Sequence, residues 1–483
     1  MSIPLYEINS IIDNMKKEGT QKPFYLYDMK QIINNYTEFD KIFNQNFLFS
    51  NFFAVKALPN PYILKGLYDN GFTCFDVSSI EELELLKFAG IPLNDANVFF
   101  TSNYSSKEQL KQAQQFGAIM NFDSYEQFET FLETGVKLTH LCFRLNPNFK
   151  SDSAEESNCF SGSTTKFGIQ EEDYIEKYIR ALNLLKNSMS EYEFDELKLG
   201  IHIMPGSNIL NEEHWKNLVE KVISIMKKIS DLDYYIDFIN FGGGIGIPYK
   251  PGDKKVNLEK IASYINDGLN KYYNYVNEYT NIKIYMENGR FITGPYGWFV
   301  TNLQSIKYEE CTGALFYGLN ASMADLMRPG MYNAYHDIKI FRGFRELKPD
   351  SENEIVSEDE NSEDKIVNKI VSEEIVNVVG TLCENNDWFA KERNLAIDAK
   401  IGDTFIISNC GAHCRAMGFN YNSKCRPQEW IIQYNGAIKK IRREETFDDL
   451  VSTVIPFDKI KTNKTIYILL FLSILLMILH QVY

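Results

Sequence analysis

The sequence predicts two fold classes joined in one chain: an α/β part built as a (β/α)8 barrel of the TIM type, and a C-terminal all-β barrel or sandwich. Two observations predict the first. Between about residues 24 and 300, short apolar runs alternate with longer segments of helical spacing, which implies a parallel sheet, and there are eight such runs, the number that closes a barrel. A third observation predicts the second part. Beyond residue 300 the texture changes to β-type runs separated by turns.

In chain order the barrel runs are "NFFAVKA", followed by the helix-like "YILKGLYDNG"; "CFDVSS", followed by "IEELELLKFAG"; "NVFFTSN", followed by "SKEQLKQAQQFG"; and "IMNFDS", followed by "YEQFETFLETG". "HLCFRLNP", "LKLGIHIMPG", "YIDFINFGGG" and "IKIYMENGR" complete the eight. The later β runs are "WFVTNLQSIKY", "EIVNVVGTLC", "DTFIISNCG" and "EWIIQYNG". The predicted organisation is therefore a segment 1–35 whose "YLYDMKQI" lends a strand to the β domain, a barrel over 36–295, and a β domain over 296–455. Residues 348–369, "KPDSENEIVSEDENSEDKIVNK", are acidic, serine-rich and without aromatics, and are expected to form a solvated insert with no chemistry assigned.

With 483 residues and 44% apolar composition the chain can bury a large core, and its net charge of −15 argues against nucleic acid as a partner. Eight cysteines with no disulfide-like spacing imply reduced thiols in a cytosolic compartment. The opening "MSIPLYEINSIIDNMKKEGT" lacks the basic head and apolar run of a signal peptide. At the other end "TIYILLFLSILLMILHQVY", residues 465–483, has no Asp, Glu, Lys or Arg and follows Lys459, Lys461 and Lys464. Apolar all round, it is expected to be a transmembrane tail anchor on a cytoplasmic catalytic body; a terminal helix packed on protein is the alternative.

Lys56 closes the apolar "NFFAVKALPNP" and raises the question of what uses a charge there. One account is a strand-end lysine reaching solvent. The other is a lysine in a pocket that lowers its pKa, so that the neutral amine attacks an aldehyde. In "NFGGGIGIPY", Gly242, Gly243, Gly244 and Gly246 follow an apolar run, where backbone N–H groups could approach a small phosphate; a tight turn is the alternative. "MENGRFITG" offers Glu287 for a protonated ring nitrogen and Arg290 for an anion, or simply a surface ion pair. "GIHIMPGSN" adds His202, a ring contact or a core histidine, and Ser207, a hydroxyl for phosphate. A lysine, a glycine loop and a carboxylate on successive strand ends describe a site for pyridoxal phosphate. Cys410, His413, Cys414 and Cys425 match no usual zinc spacing, so no metal is expected.

These motifs, with "FDVSSIEEL", "FRLNP", "TKFGI", "GSN", "RPGMYNAYH", "CENND" and "GFNYN" in order over almost the whole chain, resemble the diaminopimelate decarboxylase branch of the alanine-racemase-fold, pyridoxal-phosphate-dependent decarboxylases. The resemblance implies that Lys56 bonds the cofactor, Glu287 keeps its ring nitrogen protonated, and Ser207 with Gly243 to Gly246 holds its phosphate. Asp76, His202 and His413 fall near the cofactor. Arg290, Arg328 and Tyr332 match substrate-binding positions. Cys383 would be the acid that reprotonates the product, reaching across a homodimer interface. Glu384 matches the carboxylate that receives the distal amino group of diaminopimelate, where ornithine decarboxylases have Asp.

The chain departs from the family at Met204, where a ring-stacking histidine is usual, at His413, where a tyrosine is usual, and at Asn288, where a proline is usual. The expected reaction is decarboxylation of meso-2,6-diaminopimelate to L-lysine. Alternatives are decarboxylation of ornithine or carboxynorspermidine, and a non-catalytic relative.

Overall fold

Eight parallel strand positions close a ring, and the closure depends on one broken strand. In the computed structural model, which describes residues 2–455 apart from 95–96, 149–161, 163–164, 205, 278–280 and 350–374, the segments Phe49–Asn51 and Phe53–Ala54 are followed by Phe75–Val77, Val98–Ser102, Ile119–Phe122, His140–Asn146, Lys198–Ile203, Phe238–Asn240 and Lys283–Met286. From Phe53–Ala54 onward each pairs in parallel with the next. Phe49–Asn51 pairs with the last strand and Phe53–Ala54 with Phe75–Val77. The change of partner falls between two residues: the Phe52 N–H donates to Met286 O at 2.7 Å and the Phe53 N–H to Cys74 O at 2.9 Å. A two-residue strand, Ile169–Gln170, adds to His140–Asn146.

The strand period of two sorts the barrel interior into layers. Phe52, Phe99, Ile119, Cys142, Phe238 and Tyr285 form one buried cluster. Phe52 meets Phe99 and Tyr285 edge-on at 5.3 and 5.1 Å. Gly200 makes room for this layer, since a Cβ there would lie 2.0 Å from Phe238 Cζ. Two residues further along the same strands stand Thr101, Arg144, Asn240, Glu287 and, beyond Gly200, His202. An aromatic floor thus lies directly beneath a polar layer at the strands' C-terminal ends.

The surrounding helices start where the sequence supplies caps. Ser79, Ser106, Ser124 and Asn257 accept from the N–H groups of Glu82, Gln109, Gln127 and Lys260. In the Pro-Asn-Pro turn after Lys56, Asn60 caps the helix Pro61–Asp69 and Pro61 occupies its first position.

A second, ten-stranded mixed sheet carries the rest. Its central strand comes from the start of the chain: Phe24–Asp28 pairs antiparallel with Gly297–Glu309 and parallel with Gln428–Ile432. The helix Leu5–Lys17 covers this region with Ile8, Ile11, Ile12 and Met15 against Phe24, Leu26 and Trp298. Buried Glu429 ties the sheet to the barrel, accepting from Tyr27 Oη and from Asn60 Nδ2, each at 3.0 Å. The N–H of His413 donates to Ala57 O at 2.8 Å, next to Lys56. The short helix Phe447–Val451 lies in a separate unit beginning at Glu445.

The expectation of a membrane anchor is corrected. Among the described residues no helix is long and apolar enough to cross a membrane, and none of them supports the expected transmembrane helix or membrane attachment. Residues 465–483, on which that expectation rested, lie outside the described residues, as does the acidic insert from residue 350 onward.

Candidate active site

The polar layer opens into a cavity of about 360 Å³ lined by Lys56, His202, Ser207, Gly243, Gly244 and Glu287 from the barrel and Arg328, Tyr332 and His413 from the β-sheet part. Arg290 lines it too. A larger hollow, of about 650 Å³ and including Phe49, His140, Lys198 and Lys283, sits at the opposite, N-terminal ends of the strands, away from these groups. The smaller cavity is where the chemistry collects.

Lys56 occupies a single 3-10 turn, Val55–Ala57, directly after its strand. Its Nζ lies 2.8 Å from Asp76 Oδ2, and 48% of the side chain remains accessible toward the cavity. Burial pulls the ammonium down, but Asp76 and then Glu287 outweigh it, and the lysine is held above its ordinary value. Of the two accounts of Lys56, the one with a lowered pKa is not what the carboxylates of Asp76 and Glu287 produce, since both act to raise it. Asp76, fully buried, is also raised, by burial and by Glu287, against the pull of Lys56. The proton of the pair sits on Lys56, where the charges of Asp76 and Glu287 hold it.

Glu287 behaves differently. Burial alone would raise it, yet His202, Lys56 and Asn240 together hold it below the usual carboxylate range. Asn240 Nδ2 donates to Oε1 at 2.8 Å, and His202 Nε2 lies 3.3 Å from Oε2. Asn240 comes from the adjacent strand and His202 from the one beyond it, in the same layer, so the carboxylate is braced from behind where it lines the cavity.

The glycine loop is held by close packing. A Cβ on Gly243 would lie 2.4 Å from Glu287 O, and one on Gly244, at φ +97°, 2.4 Å from Gly206 O. Gly246 does not line the cavity; its missing side chain lets the loop pack on Asn208 and Leu210. The N–H of Gly243 donates to Met204 Sδ at 3.1 Å, so the methionine that replaces a histidine is already engaged by the loop. Asn288 has a function its proline counterpart could not supply, since its Oδ1 accepts from the Ile245 N–H at 3.3 Å. Arg290 donates from Nη2 to Ser207 Oγ at 3.0 Å and from Nη1 to Tyr249 Oη at 2.8 Å. His413 stands near Arg290, Arg328 and Lys56; burial first, then these charges, push it well below its ordinary value, so its ring is neutral.

Cys383 and Glu384 do not join this group. Both are exposed and outside the cavity of their own chain, with the Cys383 N–H donating to Asn422 Oδ1 at 2.9 Å. Sequence reasoning missed Arg144, which lines the cavity, stacks over Phe167 at 4.5 Å and pairs with Asp123 at 3.4 Å. A charge inside the apolar "HLCFRLNP" was the available signal. It also missed Asn240 and Tyr249, whose roles depend on distant partners.

The residues present fit pyridoxal phosphate. One cavity offers a primary amine, an ionised carboxylate, and a hydroxyl, guanidinium and glycine loop for an anion, which are the three groups the cofactor's aldehyde, ring nitrogen and phosphate need. Its volume is in the range of ligand sites.

Comparison with known proteins agrees. The family described as "Pyridoxal-dependent decarboxylase, pyridoxal binding domain" matches residues 29–294, more than half of the chain. Protein TabA of Pseudomonas amygdali pv. tabaci is 33% identical over 430 residues, 88% of this chain and 90% of its own. The diaminopimelate decarboxylase of Methanothermobacter thermautotrophicus is 30% identical over 436 residues, 89% of this chain and 90% of its own. A crystal structure of diaminopimelate decarboxylase from M. jannaschii in co-complex with L-lysine is 26% identical, with a TM-score of 0.74 over 92% of this chain and 94% of that one. The chain belongs to the pyridoxal-phosphate-dependent amino-acid decarboxylases.

Proposed function

We propose that the protein removes the carboxylate at the D-configured centre of meso-2,6-diaminopimelate, giving L-lysine and CO2. The observation that carries this reading is the pair of buried guanidiniums, Arg290 and Arg328, on the wall of the cavity that also holds Lys56 and Glu287. A substrate that loses one carboxylate and keeps another needs a fixed cation for the one it keeps. Relatives named diaminopimelate decarboxylase, and a related structure that contains L-lysine, support the same choice.

Pyridoxal phosphate, when bound, supplies an electron sink for the bonding pair left when CO2 departs. Lys56 would hold the cofactor's aldehyde carbon, with Asp76 keeping its Nζ in place. Glu287, braced by Asn240 and His202, would keep a proton on the ring nitrogen. Ser207, Gly243 and Gly244 would hold the phosphate, and the neutral ring of His413 would lie close by. Arg328 and Tyr332 would take the substrate's distal end. Cys383 and Glu384, exposed on their own chain, would enter the cavity of a second copy in a homodimer. There Cys383 would donate the proton that replaces CO2, and Glu384 would accept the distal ammonium.

The test is CO2 release from meso-diaminopimelate by the purified chain with pyridoxal phosphate, with ornithine and carboxynorspermidine in parallel and Lys56→Ala as control. Release from diaminopimelate alone, lost in the control, is the expected result. Release only from another substrate would replace the substrate assignment, and Met204 and His413 would be the first positions to explain it.

A further inference from the structure

Behind the cavity wall, buried groups that the reaction described above does not use hold Arg328, which it does. Arg328 lies in the short helix Met327–Tyr332, is 4% exposed, and borders the cavity. Its Nη1 is 2.9 Å from Nε2 of His336, eight residues along the same "RPGMYNAYH" stretch and fully buried. The other nitrogen of that ring, Nδ1, is 2.8 Å from Ser408 O. A carbonyl can only accept, so Nδ1 carries the ring proton and Nε2 presents a lone pair to the guanidinium. Tyr249 lies under the same guanidinium, its ring centroid 4.8 Å away, and meets the imidazole edge-on at 5.2 Å. Arg393 Nη1 donates to His336 O at 3.0 Å and anchors the backbone of the histidine.

We propose that His336 is a positioning residue that aims Arg328 at the distal carboxylate of the substrate and so makes the site selective for amines that carry one. This rests on the substrate reading given above. A guanidinium has five N–H donors and can rotate about its long side chain unless some of them are fixed. His336 takes one donor, Cys414 meets another and Tyr249 covers one face, which narrows the orientations in which the guanidinium faces the cavity. A neutral acceptor orients the arginine without cancelling its charge, as a carboxylate in the same place would. The lone pair is itself secured, because Ser408 O fixes the tautomer.

The test compares two ligands that differ only in that carboxylate, L-lysine and 1,5-diaminopentane, titrated into the full-length holoenzyme and followed by the absorbance of the bound cofactor. Wild type should prefer L-lysine. His336→Leu and His336→Phe, which lack an acceptor, should lose that preference by about tenfold, the scale of a hydrogen bond to a charged group, with 1,5-diaminopentane affinity essentially unchanged. His336→Gln, whose carbonyl can accept from Arg328 while its amide donates to Ser408 O, should retain most of it.

If the leucine and phenylalanine variants keep the wild-type preference, or weaken both ligands equally, the positioning role is overturned. It is equally overturned if the glutamine variant loses as much as they do. Should the apolar variants fail to hold cofactor, the glutamine variant decides on the same ratio. Absence of any preference in wild type would instead remove the substrate reading, and the role of His336 with it.

Discussion

Lys56 Nζ stands 2.8 Å from Asp76 Oδ2, at the point where Ala54 and Asp76 are register partners on adjacent strands. Charge from Asp76 and Glu287 outweighs burial and keeps the lysine protonated. Since only the neutral amine attacks an aldehyde, Asp76→Asn should make cofactor capture easier at lower pH. Capture followed by absorbance should shift its half-point downward by about one pH unit, the usual effect of removing one adjacent opposite charge. An unmoved profile would mean that Asp76 does not govern the amine.

Cys383 and Glu384 lie outside their own chain's cavity, so a shared site predicts complementation. Lys56→Ala and Cys383→Ala should each be nearly inactive alone. Mixed and allowed to exchange subunits, they should recover about a quarter of wild-type activity, because half of the dimers are then mixed and each of those has one intact site. No recovery despite subunit exchange would sink the shared site.

Gly244 adopts φ +97° and a Cβ on it would press on Gly206 O. Gly244→Ala should therefore strain the contact between the loop and the Ser207 segment. Stability should fall by about 1–3 kcal/mol, as for other overpacked sites. Cofactor affinity should drop as well, read by equilibrium dialysis. A variant with both unchanged would show that the loop can relax without losing its shape.

His336 is pushed down from 6.5 to about 3 by burial first and by Arg328 next. The folded state therefore keeps this ring neutral where the unfolded chain would protonate it. Its contribution to stability is complete above about pH 6.5 and is lost as pH falls from there toward 3. Over that window His336→Gln, which cannot titrate, should show a shallower fall in urea midpoint than wild type, by an amount worth up to a few kcal/mol. Parallel curves would place the acid sensitivity elsewhere.

Much of this protein is legible in one dimension. Strand position is local, because an apolar run bounded by Ser, Asn, Gly or Pro needs little help to be recognised, and all eight predicted runs lie in the ring. Residues that act at a strand end, such as Lys56, Gly243 and Glu287, interrupt an apolar pattern and stand out for that reason. Arg144 interrupts one too, yet only the stack on Phe167 and the pair with Asp123 gave it a place.

What the order of residues could not decide is which groups face each other across the ring. The period of two puts Asn240, Glu287 and His202 in one layer only once the strand register is known. The protonation of Lys56 follows from that register, since it depends on a carboxylate 20 residues away and another far beyond it. The tautomer of His336 likewise waits on Ser408, a partner distant in the chain. Electrostatics and hydrogen bonding act through space, so the sequence alone determined which side chains were available, and the tertiary structure decided what each one touches and therefore which charge it carries.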